Sequence, residues 1–185
     1  MNDSERLSQI ISDCKQGSQD GYAQIVELYA NRLYGYFYRL TGNAETSNDL
    51  LSEIFVKLVE KIDTYSSGSF DLWLFKIAAN IFYDHLRQQQ RRKKFLESHR
   101  QQLELEESLA DVKRSDDEAA DILQAQLGQL DKQTRELILL RYYSDLSFKE
   151  IARMRKEPLG TVLSKVHRGL AKLRELMEQQ YEKRK

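Results

Sequence analysis

The sequence predicts an all-α protein made of two small helical domains, and three observations carry that expectation. One proline and 8 glycines in 185 residues leave too few tight-turn residues for a sandwich or a barrel. Apolar residues recur at intervals of three and four through both halves, and no alternating run is long enough for a strand. Charge is segregated along the chain. Arg87, Arg91, Arg92, Lys93, Lys94 and Arg100 form a basic run; Glu104, Glu106, Glu107, Asp111, Asp116, Asp117, Glu118 and Asp121 form an acidic one, broken only by Lys113 and Arg114. Blocks of like charge with few large apolar residues read as a solvated connector. This places one domain at residues 1–94, a linker at 95–118 and a second domain at 119–185.

In the first half, Tyr22, Ile25, Tyr29, Leu33, Tyr36, Phe37 and Leu40 mark a long amphipathic helix, which Gly42 closes as a C-terminal cap. Asn43 caps the next helix, whose core face is Leu50, Leu51, Ile54, Phe55, Leu58, Val59 and Ile62. The segment TYSSGS, Thr64–Ser69, is a loop by composition. A third helix runs from about Phe70 past Arg87, buried through Leu74, Ile77, Ala78, Ile81 and Leu86.

Four shorter helices are expected in the second half. Ala119–Leu130 and Lys132–Tyr142 precede the stretch LSFKEIARMRKEPLGTVLSKVHR, Leu146–Arg168. Ser147 and Glu150 have the spacing of a reciprocal capping box, and Phe148, Ile151 and Ala152 give a short helix one apolar side. Pro158 lacks an N–H and ends that helix. Beyond it, Leu159, Val162, Val166, Leu170 and Leu173 form a second stripe, leaving Thr161, Ser164, Lys165, His167, Arg168 and Lys172 on the opposite face. Two short helices around a tight break, the second presenting hydroxyls and cations, outline a helix-turn-helix. An ordinary αα-hairpin with a solvated basic face fits the same stretch.

Several function classes find no support. The single cysteine, Cys14, excludes an intramolecular disulfide and suits a reducing compartment. No apolar run approaches a membrane span, and the polar N-terminus has no signal-peptide core, so the protein is expected to be cytoplasmic with no membrane insertion. His85, His99 and His167 are scattered, with no metal-ligand spacing, phosphate loop or nucleophile elbow. Asp49 and Glu53 share a helical face, but an exposed carboxylate pair is usually solvated. Neither an enzyme nor a cofactor is expected. Lys+Arg and Asp+Glu both number 29, so a case for nucleic acid must rest on local charge.

That local distribution is informative. Lys76, Asn80, Asp84, Arg87 and Arg91 advance by three or four residues and share one face of the third helix, where cations suit phosphates and Asn80 suits a base edge or backbone. Tyr65, Phe70, Trp73, Phe75, Phe82 and Tyr83 lie beside or within it. Unpaired bases stack on such rings for about 1–3 kcal/mol each. Phe75 and Phe82 belong to the core, leaving Tyr65, Phe70 and Trp73 as the rings expected to be available. The outer face of the second helix, Asp49, Ser52, Glu53, Lys57 and Glu60, is mixed and acid-leaning. It suits a protein partner better than DNA, and as an isolated feature a solvated face better still.

Two blocks together resemble one family. RLYGYFYRLTGNAETSNDLLSEIFVKLVEKI followed by FDLWLFKIAANIFYDHLRQQQRR resembles region 2 of bacterial sigma factors. LGQLDKQTRELILLRYYSDLSFKEIARMRKEPLGTVLSKVHRGLAKLREL resembles region 4. With only these regions and a short linker, the chain is similar to the group IV, extracytoplasmic-function sigma factors of the sigma-70 family. The resemblance implies a partner of core RNA polymerase that directs it to a promoter and helps part the strands. Asp49, Ser52, Glu53 and Lys57 would dock on the clamp helices of the largest polymerase subunit, and the second domain on the flap of the second-largest. Tyr65, Phe70, Trp73, Lys76, Asn80, Asp84, Arg87 and Arg91 would meet and melt the minus-ten element, with a flipped base held in the Tyr65–Phe70 loop. Thr161, Ser164, Lys165, His167, Arg168 and Lys172 would read the minus-thirty-five element in the major groove. An anti-sigma factor is a further expected partner, and the acidic linker would lie near the polymerase cleft.

The departures from the family pattern fall at four positions. Ser52 stands where Gln is usual, Asp131 replaces a common Pro, Lys156 sits where the turn often has Gly, and Leu163 takes a position often basic. Two other readings remain: a helix-turn-helix regulator that binds duplex DNA as a dimer without docking on polymerase, and a helical adaptor of the anti-sigma type.

Overall fold

A computed structural model describes residues 3–98 and 118–182, and all regular structure in them is helical. The helices are α1 (Asp3–Lys15), α2 (Gln19–Thr41), α3 (Ala44–Lys61), α4 (Phe70–Ser98), α5 (Glu118–Gly128), α6 (Lys132–Tyr143), α7 (Phe148–Arg155) and α8 (Leu159–Glu182). A single 3₁₀ turn, Ile62–Thr64, follows α3. The acidic run from Glu104 to Asp117 lies outside the described residues, as do His99 and Arg100.

Caps set the boundaries. The Ser18 and Asn43 side chains accept from the N–H groups of Gly21 and Thr46 at the starts of α2 and α3. Gly42 ends α2 at φ 68°, in the left-handed region that costs glycine nothing. Asp131 begins α6 by accepting from the Thr134 N–H at 2.9 Å, a side-chain cap that starts the helix without a proline. Ser147 and Glu150 form the reciprocal box at the start of α7. Lys156 then takes φ 55° to end that helix, a left-handed geometry that costs a side chain about 1–2 kcal/mol.

Helix α1 was not among the expected elements, although Leu7, Ile10, Ile11 and Cys14 recur at helical spacing; it packs Ile10, Ile11 and Cys14 against α2. Gly21 allows this approach, since a Cβ there would stand 3.0 Å from the Cys14 backbone nitrogen. Helix α4 continues to Ser98, past the expected domain edge at 94. Helix α8 is a 24-residue rod rather than a short helix. Val59 departs from its expected place: it is 53% exposed, because it falls at the outer margin of the α3 stripe, which Leu50, Ile54 and Leu58 close. Leu86, also expected in the core, is only partly buried against it.

Buried side chains from both halves form one continuous core. Helix α2 runs through its middle, touching α1, α3 and α4 on the N-terminal side and α6 on the C-terminal side, while α7 packs on α4. Helix α8 carries α5, α6 and α7. Its approach to α6 depends on Gly169, where a Cβ would stand 2.3 Å from Thr134 Cγ2.

Candidate nucleic-acid interface

The helix-turn-helix is α7, the turn at Lys156–Pro158, and α8. Pro158 offers its carbonyl to the Thr161 and Val162 N–H groups at 3.0 and 3.1 Å, so α8 starts directly after the turn. Val162 and Val166 are buried, which turns Leu163, Ser164, His167, Arg168 and Lys172 to solvent. Thr161 is half-buried at the start of this face. Lys165 is set apart from the others: its Nζ lies 2.7 Å from Glu157 Oε2 and donates to Gln133 Oε1 at 3.1 Å. Its charge is already partnered by the turn and by α6. Lys165, Arg168 and Lys172 line one wall of an open groove of about 450 Å³, with Asp131 and Thr134 opposite.

The basic stripe on α4 forms as expected, with Lys76, Asn80, Asp84, Arg87 and Arg91 all exposed. Asp84 and Arg87 pair with each other, which trims the net positive charge of the stripe. At its N-terminal end Tyr65, Phe70 and Trp73 gather into one cluster with centroid separations of 5.3–5.7 Å.

One expected base-stacking residue is displaced from that role. Phe70 is 2% exposed and meets the Tyr29 ring edge-on at 5.5 Å. As the first residue of α4 it points inward to seal the helix against α2, so Tyr65 and Trp73 alone offer half-open rings. The Tyr65 hydroxyl donates to the Gly68 carbonyl at 2.7 Å. Lys15, at the end of α1, donates to the Tyr65 carbonyl and lies over its ring. Lys15 thereby braces the loop, a contact across 50 residues of sequence that no local pattern signals.

On α3, Asp49, Ser52 and Glu53 are exposed, and Lys57 pairs with Glu60 at 2.8 Å; that partner raises the Lys57 pKa. Val56 and Val59, 56% and 53% exposed, add apolar surface to this charged face. The sequence assigned neither of them to it, although both fall in register with Ser52 and Glu53. Glu53 also reaches a groove shared with Asp84, His85, Gln88 and Arg91 of α4, so this face and the basic stripe adjoin. No cluster of metal-ligating side chains occurs among the described residues.

Comparison with known proteins gives this geometry a family. Residues 25–92 match the profile of Sigma-70 region 2, and residues 120–173 that of Sigma-70 region 4. The chain is 30% identical over 174 residues to the ECF RNA polymerase sigma factor SigW of Bacillus subtilis, covering 89% of this chain and 92% of that one. The chain belongs to the extracytoplasmic-function sigma factors. Another sigma factor, SigE of Mycolicibacterium smegmatis, is 31% identical over 163 residues, covering 88% of this chain and 63% of that one. Among solved structures, the sigma factor RpoE in complex with the anti-sigma factor NepR from Bartonella quintana aligns with a TM-score of 0.67 at 24% identity, over 85% of this chain and 96% of that one. CnrH in complex with the cytosolic domain of CnrY aligns at 0.65 and 22%, over 92% and 96%. Both likenesses speak to the fold. In this sigma factor, region 2 comprises most of α2 with α3 and α4, and region 4 spans α5 to α8. Every candidate contact residue lies inside one of the two matched segments.

Proposed function

We propose that the protein binds core RNA polymerase, selects promoters through two separate DNA elements and helps part the strands, with no catalysis of its own. The observation that carries this reading is the pairing, on one chain, of an exposed hydroxyl-and-cation face on α8 with an aromatic cluster leading into a basic stripe on α4. Duplex readout needs only the first, whereas the second suits unpaired bases.

Leu163, Ser164, His167, Arg168 and Lys172 read the minus-thirty-five duplex, with Thr161 at the groove edge and Lys165 bracing the turn. The apolar Leu163 side chain suits a thymine methyl. Tyr65 and Trp73 stack on exposed bases of the minus-ten element, Lys76, Arg87 and Arg91 hold phosphates, and Asn80 bonds to a base or the backbone, with Asp84 orienting Arg87. Asp49, Ser52, Glu53, Val56 and Lys57 dock on the clamp helices of the largest subunit, and region 4 on the flap of the second-largest. The site of action is the cytoplasm, where a partner of bacterial RNA polymerase works. An anti-sigma factor is a natural partner, because relatives of this fold are seen bound to one.

The test is selection of random duplex DNA by a mixture of core polymerase and this protein, followed by permanganate probing of the selected sequences. Thymines reactive only when both proteins are present support the reading. Arg168→Ala is expected to weaken capture of the upstream element about tenfold or more, the scale of one charged base or phosphate contact, while leaving polymerase binding intact. Glu53→Lys is expected to do the reverse, losing polymerase with the fold unchanged. Equal loss of both activities in either variant rejects that face assignment.

A further inference from the structure

Helix α1 precedes the segment that matches region 2, residues 25–92, yet it ends against the loop that leads into α4. Ile10, Ile11 and Cys14 are buried on α2, Cys14 at 1% exposure, and α1 also packs on the 3₁₀ turn Ile62–Thr64. Lys15 follows Cys14 directly and is the last residue of the helix, so its backbone is held in place and only its stem can swing. The last turn also suits a cation, because the helix dipole is negative there.

The Lys15 ammonium meets Tyr65 twice. It donates to the Tyr65 carbonyl and lies 5.8 Å from the centroid of the Tyr65 ring. A charged donor makes the stronger kind of hydrogen bond, and the ring face attracts the same charge. No carboxylate among the described residues pairs with Lys15, so its charge is spent on a carbonyl and a ring.

Tyr65 in turn governs the loop. Its N–H donates to the Ile62 carbonyl at 3.1 Å, and its hydroxyl to the Gly68 carbonyl at 2.7 Å, which closes the segment on itself. Ser66, Ser67 and Gly68 are exposed. Gly68 takes φ 95° with nothing within 4 Å of the place a Cβ would occupy. The loop tip is therefore open, and its shape is inherited from the Tyr65 side chain rather than from packing. The Trp73 ring lies 5.7 Å from that of Tyr65, so one cation steadies both of the half-open rings that suit unpaired bases. With the ammonium over one face of the Tyr65 ring, a base is left the other face to stack on.

We propose that Lys15 is a positioning residue for strand opening: it presets the Tyr65 loop and the Tyr65–Trp73 rings in the shape that receives an unpaired base, without touching the DNA itself. The proposal rests on the minus-ten reading of this site; the brace on the loop does not. The mechanism is pre-organisation, since a loop that must be ordered on binding loses affinity for its ligand in proportion to the time it spends in other shapes. The melting site thereby extends to a helix outside the matched segment.

Lys15→Met keeps the stem and removes the ammonium, whereas Lys15→Arg keeps a cation able to meet both the carbonyl and the ring. Trp73 is the single tryptophan of the chain, so acrylamide quenching of its fluorescence in the full chain, free of DNA, reads the loop directly. Lys15→Met is expected to raise quenching above that of wild type while leaving the thermal midpoint and the affinity for core polymerase unchanged. With core polymerase and a promoter recovered by selection, the same variant is expected to lose permanganate reactivity several-fold, and Lys15→Arg to restore both readouts.

Salt dependence separates positioning from contact. For a single strand of the minus-ten sequence bound by the polymerase complex, each lost phosphate contact lowers the slope of log affinity against log salt by about 0.7. Lys15→Met is expected to weaken that binding several-fold with the slope unchanged. Wild-type quenching in Lys15→Met, a slope reduced by that amount, a loss that Lys15→Arg fails to restore, or full strand opening by a variant whose quenching has risen overturns the proposal. Raised quenching in Lys15→Met with no strand opening by the wild-type chain keeps the brace but refutes the minus-ten reading, and the proposal falls with it.

Discussion

Lys156 and Asp131 each set a helix boundary, by different means. Lys156 accepts a left-handed backbone, φ 55°, to turn α7 into α8. Lys156→Gly is expected to raise stability by about 0.5–1 kcal/mol, the strain relieved less the extra freedom of the unfolded chain, read as a higher thermal midpoint. An unchanged or lower midpoint means the lysine makes a compensating contact. Asp131 caps α6, and the Thr134 N–H it accepts lowers its pKa. A group depressed on folding contributes stability above its unfolded pKa and loses it as pH falls through the folded value. Asp131→Ala is therefore expected to cost about 1 kcal/mol at neutral pH, with the gap to wild type closing in acid below the ordinary carboxylate range. A gap that persists there assigns the loss to packing instead. At the same scale Lys165, paired with Glu157, shows that a cation on the exposed face of a helical wheel is not always free to meet DNA.

At the scale of elements, periodicity located α2, α3, α4 and the helix-turn-helix pair, because each has a continuous apolar stripe and a capping residue at its start or end. It marks α1 as well, through Leu7, Ile10, Ile11 and Cys14, an element the sequence reading passed over. It also erred at stripe margins. Val59 was placed in the core and Phe70 at the surface, and the structure reverses both. A residue at the boundary of a stripe is assigned by what packs against it, and the Tyr29 ring that covers Phe70 is not visible from local spacing. Phe70→Ala is expected to destabilise the fold by about 3–5 kcal/mol, as a large core truncation does, whereas Trp73→Ala is expected to leave the melting temperature within a few degrees and reduce permanganate reactivity at the promoter. The opposite pattern, a stable Phe70→Ala that fails to open DNA, restores Phe70 to the base-contacting role. On the α3 face Val59 was read as core and Val56 was left unassigned, although both stand in register with Ser52 and Glu53.

At the scale of the whole molecule, matched totals of acidic and basic residues, 29 each, conceal a division of labour between faces. Region 2 presents an acid-leaning surface on α3 beside a basic stripe on α4, and region 4 presents cations on α8. The order of the two regions was legible because each carries its own helices and caps. Their packing was not, since Arg32–Asp145, Tyr83–Glu136 and Gly35–Tyr143 join residues 53 to 113 positions apart and follow no repeat. Function divides in the same way: a resemblance spread over both halves pointed to the family, while the burial of Phe70 and the pairing of Lys165 appear only in three dimensions. The central claim is that these faces together make a polymerase subunit. The most direct test is fluorescence anisotropy of the labelled full chain titrated with bacterial core RNA polymerase, then competed with a housekeeping sigma factor. Saturable binding that the competitor displaces is the expected result. Absence of binding, or binding that the competitor leaves untouched, contradicts the account.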